Sequence, residues 1–441
     1  FVKVTVLKSQ ISKVVYLTPS AQDLNEIVIS ASKFQQNKRE VPQKIISLNS
    51  EQIQFSTPQT SADLLQGSGQ VFVQKSQLGG GSPMIRGFST NRLLLSVDGV
   101  RMNNAIFRGG NVQNVISIDP FSIQNTEVIL GAGSVIYGSD AIGGVMNFYT
   151  KKPQHSLTDT LLFESNILAR YSSANNEKSS HLDLNFGYKK WAFLSSISFT
   201  DFDDLQMGKY GSNDYLRPEY VRTTNGIDEV VSNSNPEEQK FTGYNQINFM
   251  QKAQYKYDEK TTLDIGLHYS TTSDYPRYDR LIRYSSGQLR SAEWYYGPQE
   301  RLLLSSQLEL NPERRWLNNG TITIAYQNIK ESRINRKFGS LNRTIREEEV
   351  DVFSFNGDFS VPLSNNRILS YGMELSHNDV KSTPRGEILK VEGNTITGIS
   401  GLFPVQARYA DGGSAYTSSA AYINYRQDIS KSSTLNTGAR F

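Results

Sequence analysis

The sequence predicts a mainly β chain, in which a compact α+β domain is followed by an antiparallel transmembrane β-barrel with about half its strands present. Three observations carry this. From 159 to 441, apolar and polar residues alternate: Leu182, Leu184, Phe186 and Tyr188 are interleaved with Asp183, Asn185, Gly187 and Lys189. The same pattern returns at Leu263, Ile265, Leu267 and Tyr269, at Phe353, Phe355, Phe359 and Val361, and at Leu369, Tyr371, Met373 and Leu375. Two-fold alternation gives a strand one lipid face and one lumenal face. Next, tight turns (Lys189-Lys190, 258–260, 364–366) alternate with long loops (203–241, 273–299, 381–415). Lastly, 82–153 is denser, is punctuated by glycine and lacks this regular alternation.

Composition fits a barrel. Apolar residues are 37% and charged residues 20% of 441. No run approaches the ~18 apolar residues of a membrane helix, a test that a β-barrel escapes because only alternate residues meet lipid. The chain has no cysteine, which is compatible with an oxidising compartment. A net charge of +3 is too small to imply nucleic acid. The 23 tyrosines and 21 phenylalanines suit interfacial girdles or a ligand-binding surface. Phe1 follows no Met or leader pattern, so a removed signal peptide or a portion of a longer chain is expected.

In chain order, 1–20 reads as the end of a small β-domain, with Val2, Val4 and Val6 on one face. Glu26, Ile27, Val28, Ile29 and Ser30 form a short β-branched run able to pair with a free sheet edge. Strands are expected at Ile45-Ile46 and at Val71-Phe72-Val73. Thr60 caps a brief helix through Leu65. Gly79-Gly80-Gly81 lacks the partners of a phosphate loop and reads as a flexible apical loop. Asp98-Gly99 is a hairpin turn. Arg86, beside Gly87, needs a carboxylate if buried, and Glu127 is the expected partner. Asp119-Pro120 starts a short helix. Gly131, Gly138, Gly143 and Gly144, with Tyr137 among them, mark a tight region before the strand 145–149.

The order IRGF, LLLSVDGVR, then IDPFSIQNTEVILGAGSVIYGSDAIGGVMNFYTK resembles the plug of TonB-dependent outer-membrane receptors, most nearly the haem, haemoglobin and iron-complex receptors of Bacteroidetes. Ala132 departs from it, standing where the family commonly has proline. The resemblance implies an α+β plug domain (40–153) inside an antiparallel transmembrane β-barrel, whose N-terminal portion is 154–441. It also implies a TonB box and linker (21–39) and, in 1–20, the end of a carboxypeptidase-regulatory-like domain. Residues 26–30 would then bind TonB, and Arg86, Gly87, Asp98, Gly99, Glu127, Gly131, Tyr137, Gly138, Gly143 and Gly144 would shape the plug. About eleven strands of the ~9–11 residues needed to span a bilayer fit in 159–441, near half of the ~22 in a plugged barrel. A half barrel leaves two costly edges in lipid, which again suggests a longer receptor.

The implied activity is import without covalent chemistry, energised by TonB and its inner-membrane motor. Partners would be TonB, outer-membrane lipids and an iron complex or haem, which a surface lipoprotein could deliver. Plug apices at Gln77 and at Asn103, Asn104, Phe107 and Arg108, with outer-loop Tyr275, Arg277, Tyr278, Trp294 and Tyr295, are the ligand-binding candidates. Aromatics beside arginines suit a flat, partly anionic ligand. His155, His181, His268 and His377 read as structural. No spacing suggests a metal site, a resident cofactor or a Ser/His/Asp hydrolase. Adhesion without import, and import of cobalamin or a glycan, are the alternatives.

Overall fold

The computed structural model describes residues 27–30, 32–38, 41–75, 78–106, 115–224, 227–312, 314, 316–393, 395–430 and 433–441. The expected β-domain at 1–20 lies outside them. Five strands make the plug sheet: β1 (Lys44–Asn49), β2 (Leu93–Val97), β3 (Val100–Arg101), β4 (Ile123–Leu130) and β5 (Gly144–Thr150), in the order β1-β4-β5-β2-β3. β5 and β2 are parallel, with Gly144 opposite Leu93, and the other pairs are antiparallel.

Both faces of this sheet are buried, so its strands read as apolar runs rather than as alternation. Leu93, Leu95 and Val97 face one side with Val128, Met146 and Phe148. There they meet Ile53 of α1 (Ser50–Ser56) and Leu64 and Leu65 of α2 (Ser61–Gly67). Leu94, Ile129 and Val145 face the other side, against Ile45, Ile136 and Tyr137. Each such burial contributes roughly 1.5–3 kcal/mol. Both helices start on capping boxes: Asn49 with Gln52, and Thr60 with Asp63. The Asp119-Pro120 start is a 3₁₀ turn (Pro120–Ser122), with the Asp119 side chain accepting from the Phe121 N–H at 3.0 Å.

The glycine-rich loop differs from expectation. Gly79, Gly80 and Gly81 are buried and packed, not flexible. A Cβ on Gly81 would lie 2.3 Å from the Ala62 Cβ, so α2 can approach only because no side chain is there.

Eleven strands form the main path of one antiparallel sheet: β6 (Leu162–Ser172), β7 (Glu177–Gly187), β8 (Trp191–Phe202), β9 (Tyr244–Lys256), β10 (Thr261–Thr272), β11 (Glu300–Leu310), β12 (Asn319–Lys337), β13 (Asn342–Ser364), β14 (Arg367–Glu392), β15 (Gly413–Ser430) and β16 (Ser433–Arg440). Their faces differ as the alternation requires. On β8, Ile197 and Phe199 point outward and are nearly half exposed, while Ser196 and Ser198 are buried against the plug. Several strands exceed a bilayer span: β12, β13 and β14 have 19, 23 and 26 residues. The expected loop 381–415 is largely strand, since β14 continues to Glu392 and pairs with Thr395–Phe403. Charged residues broke the apolar pattern there, but a ladder that stands in water needs no lipid face.

All eleven strands touch the plug or the strap before it. Arg170 of β6 bonds the Pro58 carbonyl at 2.9 Å. Asp183 of β7 pairs with Lys151, and Ser198 of β8 bonds Asp119. Lys252 of β9 and His268 of β10 lie 2.8 and 3.5 Å from Asp98. Leu303 of β11 joins the plug core. Gln327 of β12, Asp358 of β13, Glu374 of β14, Tyr422 of β15 and Arg440 of β16 make the remaining contacts.

Candidate functional site

The strap precedes the plug. Ile27 and Val28 pair with Asn37 and Gln36 in a two-stranded hairpin. Ile27 is 58% exposed, whereas Val28 is fully buried among Ile45, Ile129, Tyr137 and Tyr422. The chain is then gripped by its backbone. The N–H groups of Ile29 and Ser30 donate to the Glu127 carboxylate, Ile29 at 3.1 Å and Ser30 at 2.8 Å. Tyr137 Oη donates to the Ser30 carbonyl at 2.8 Å. Burial pushes the Tyr137 hydroxyl well above its ordinary range, so it stays a donor. Lys33 reaches Asp358 at 2.8 Å and sits 5.5 and 5.6 Å from the Tyr137 and Tyr422 rings. Glu26 lies outside the described residues.

The expected Arg86–Glu127 pair does not form. Arg86 occupies an exposed turn at φ 49°, so its charge is left in water. Glu127 is buried, but its partners are strap backbone N–H groups nearly a hundred positions away.

Asp98 and Gly99 make the β2–β3 turn at φ 48° and 81°. The Asp98 carboxylate accepts from Thr150 N and Oγ1 at 2.8 and 2.6 Å and faces Lys252 and His268. Burial opposes its charge, but Lys252, His268 and Thr150 outweigh burial and hold it at about 2. Gly87, Gly131, Gly138 and Gly144 have positive φ, and Gly143 packs on Phe88. At Gly138, φ is 85° and an added Cβ would crowd the Arg440 guanidinium at 3.2 Å.

Arg101, not singled out from sequence, is an anchor. Its guanidinium donates to Asp140 at 2.8 Å, to the Tyr137 carbonyl at 2.6 Å and to Glu374 of β14 at 2.9 Å. Arg440 reaches the same Glu374 at 3.1 Å. The one available hint was an arginine directly after the Asp98-Gly99 turn and its Val100.

The ligand candidates divide. Gln77, Phe107 and Arg108 lie outside the described residues. Asn103 is buried, and its amide bonds Leu95 N and the Leu93 carbonyl at 3.0 and 2.9 Å, so it braces the plug. Asn104 accepts from Ile106 N at 2.8 Å. Tyr275 is buried and donates to Gln299 at 2.5 Å. Arg277 pairs with Asp279 at 2.6 and 2.9 Å and lies 5.0 and 5.3 Å from the Trp294 and Tyr296 rings. Tyr278 sits 5.4 Å from the Arg217 guanidinium. Trp294 and Tyr295 are half-buried. The structure gathers these loop residues into a braced wall, while Asn103 faces inward.

The histidines are spread along the barrel. His155 Nε2 lies 2.8 Å from Gln254 Oε1, and His377 Nδ1 lies 2.8 Å from Thr417 Oγ1. His181 is buried at the plug wall between Ser198 and Asp183. This is a Ser/His/Asp grouping that chain spacing did not announce. Its Ser198 hydroxyl is buried and directed at Asp119, which gives it no access to a substrate carbonyl.

Residues 37–145 match the family model of the TonB-dependent Receptor Plug Domain. The plug of this chain is therefore that of a TonB-dependent outer-membrane receptor. The Vitamin B12 transporter BtuB of Vibrio vulnificus (strain CMCP6) is 35% identical to this receptor over 155 residues, 34% of this chain and 25% of that transporter. The match thus spans a quarter of that relative's length. The FrpB iron transporter of Neisseria meningitidis superposes with a TM-score of 0.66 at 16% identity, covering 90% of this chain and 58% of that one. The ferripyoverdine receptor of Pseudomonas aeruginosa gives 0.63 at 14%, covering 95% and 54%. These likenesses are of fold: a plug within an outer-membrane barrel, of which this receptor chain spans somewhat over half the length.

Proposed function

We propose that this receptor imports a metal chelate across the outer membrane, drawing on TonB for energy, with an iron complex of the haem or siderophore kind as the cargo. In this reading 21–39 is the TonB-engaging strap, 40–153 the plug and 154–441 the barrel portion. The observation that carries it is the grip of Glu127 on the Ile29 and Ser30 backbone. A pull on Ile27 and Val28 would load β4, which pairs with both β1 and β5 of the plug sheet. No chemical step is needed: the cargo is bound at the loop end and the pulled plug opens a path. Support for a flat, partly anionic cargo comes from the outer wall, where Arg277 and Arg333 both lie within 6 Å of the Trp294 and Tyr296 rings. Cobalamin is the second reading, favoured by the 35% identity to a vitamin B12 transporter.

The test is uptake of labelled haem, ferric siderophore and cyanocobalamin by cells carrying the intact receptor or one lacking residues 26–30. The proposal expects accumulation of an iron complex that the deletion abolishes, with surface binding intact. Uptake of cobalamin alone selects the second reading, and undiminished uptake by the deletion contradicts both.

A further inference from the structure

Two arginines are buried where the outer loops meet, and their surroundings are opposite. Arg336, near the end of β12, uses every N–H of its guanidinium. Nε donates to Glu293 at 2.7 Å, and the two Nη atoms donate to both oxygens of Asp228, to the Ser340 carbonyl and to Thr223 Oγ1, all at 2.7–3.0 Å. That pins the hairpin of Glu219–Thr224 and Ile227–Ser232 to the barrel. Arg217, just before the hairpin, is 3% exposed and forms no ion pair with any carboxylate of the described residues. Its Nε is buried without an acceptor, and its one hydrogen bond, from Nη2 to the Leu281 carbonyl, is long at 3.4 Å. The Tyr278 ring centre stands 5.4 Å from the guanidinium. Glu219 acts on it only from a distance, its carboxylate accepting from Tyr284 Oη at 2.5 Å. One long bond and one ring contact offset little of the hydration that the guanidinium has lost. Burial accordingly pulls Arg217 below the ordinary arginine value.

We propose that Arg217 is a covered anion site: the helical turn Tyr278–Leu281 is its lid, and a molecule presenting a carboxylate takes the lid's place against the guanidinium. The backbone of Arg217 is fixed, its N–H donating to the Pro236 carbonyl at 2.7 Å and its carbonyl accepting from Asn233 at 2.8 Å, so the residue stays while the lid moves. The lid is thin. Tyr278 is half-buried, and Ile282 and Arg283 beyond it are exposed. The buried Leu281 is its apolar hold. The lid is also cationic, since Arg277, Arg280 and Arg283 share the single carboxylate of Asp279. Like charge on both sides favours opening. The Nε edge of a guanidinium matches the two oxygens of a carboxylate. Such a ligand supplies the countercharge that the closed loop lacks. The lid works in the same way whatever cargo the receptor imports.

The test is hydrogen exchange on the full chain in detergent, read at the Arg280, Leu281 and Ile282 amides, which close the turn onto the Arg277 and Tyr278 carbonyls. Arg217→Met keeps the stem and removes the charge; should it not fold, Arg217→Gln takes its place. With the buried charge gone, the lid should stay down and exchange there should slow by roughly tenfold. Unchanged or faster exchange would mean that Arg217 braces the turn, and overturns the proposal. Citrate is the carboxylate probe, compared with chloride at equal ionic strength. It should quicken exchange at the lid in the wild type and leave the variant unmoved. No response in the wild type, or the same response in both, overturns the site.

Discussion

Glu127 holds the strap by its backbone. Its carboxylate satisfies two backbone N–H groups of the strap inside the molecule. Hydrogen bonds to a charged group contribute about 1.5–3 kcal/mol each. Glu127→Gln keeps the shape and removes the charge, so amide exchange at Ile29 and Ser30 should quicken by roughly tenfold or more. Unchanged protection there would mean that the buried Val28, not Glu127, holds the strap. Asp98 gives a pH signature with a defined sign. Its carboxyl is depressed from 3.8 to about 2, so its contribution to docking is full above the unfolded value and lost as pH falls through the folded one. Plug melting temperatures of wild type and Asp98→Asn should differ at pH 7 and converge between pH 4 and 2; a constant gap would count against the Lys252 contact.

At the scale of elements, the devices legible in the chain were local. Thr60 named a helix start, Asp98-Gly99 named a turn, and two-fold alternation named barrel strands. What could not be read was any pairing fixed by distant chain. Arg86 looked as though it needed a carboxylate because its neighbours are apolar, yet a turn at φ 49° turns it to water. The three glycines looked mobile because glycine permits everything; packing against Ala62 and Tyr244 decides otherwise. Gly81→Leu should therefore destabilise the plug by about 1–3 kcal/mol through overpacking, read as a lower plug melting temperature with barrel signals unchanged. A neutral outcome would show that α2 can retreat.

For the whole molecule, the two parts differ in how they are held. Within the plug, apolar side chains close over both faces of a sheet. Between plug and barrel the ties are mixed: Lys252 to Asp98, Arg101 to Glu374, Arg440 to the Ile136 carbonyl and Asn378 to the Ala105 N–H, beside apolar contacts where Leu78 and Ile116 meet Phe202 and Tyr244 and where Ala105 meets Ile329 and Val350. Water can replace the polar ties one at a time, each at about 0.5–3 kcal/mol, while the apolar contacts add their own resistance to movement. The plug thus has a core of its own, and most of its ties to the wall were invisible in sequence because they join residues far apart in the chain, Ala105 and Asn378 by 273 positions. On the proposed function the plug must move for cargo to pass, so a cross-link that pins it to the wall should stop import. The chain has no cysteine of its own, and the Ala105 N–H lies 3.0 Å from Asn378 Oδ1. A receptor carrying Ala105→Cys and Asn378→Cys, oxidised so that plug and β14 are joined, should bind its cargo at the surface and import none until a reductant is added. Full import by the completely cross-linked receptor would contradict the account.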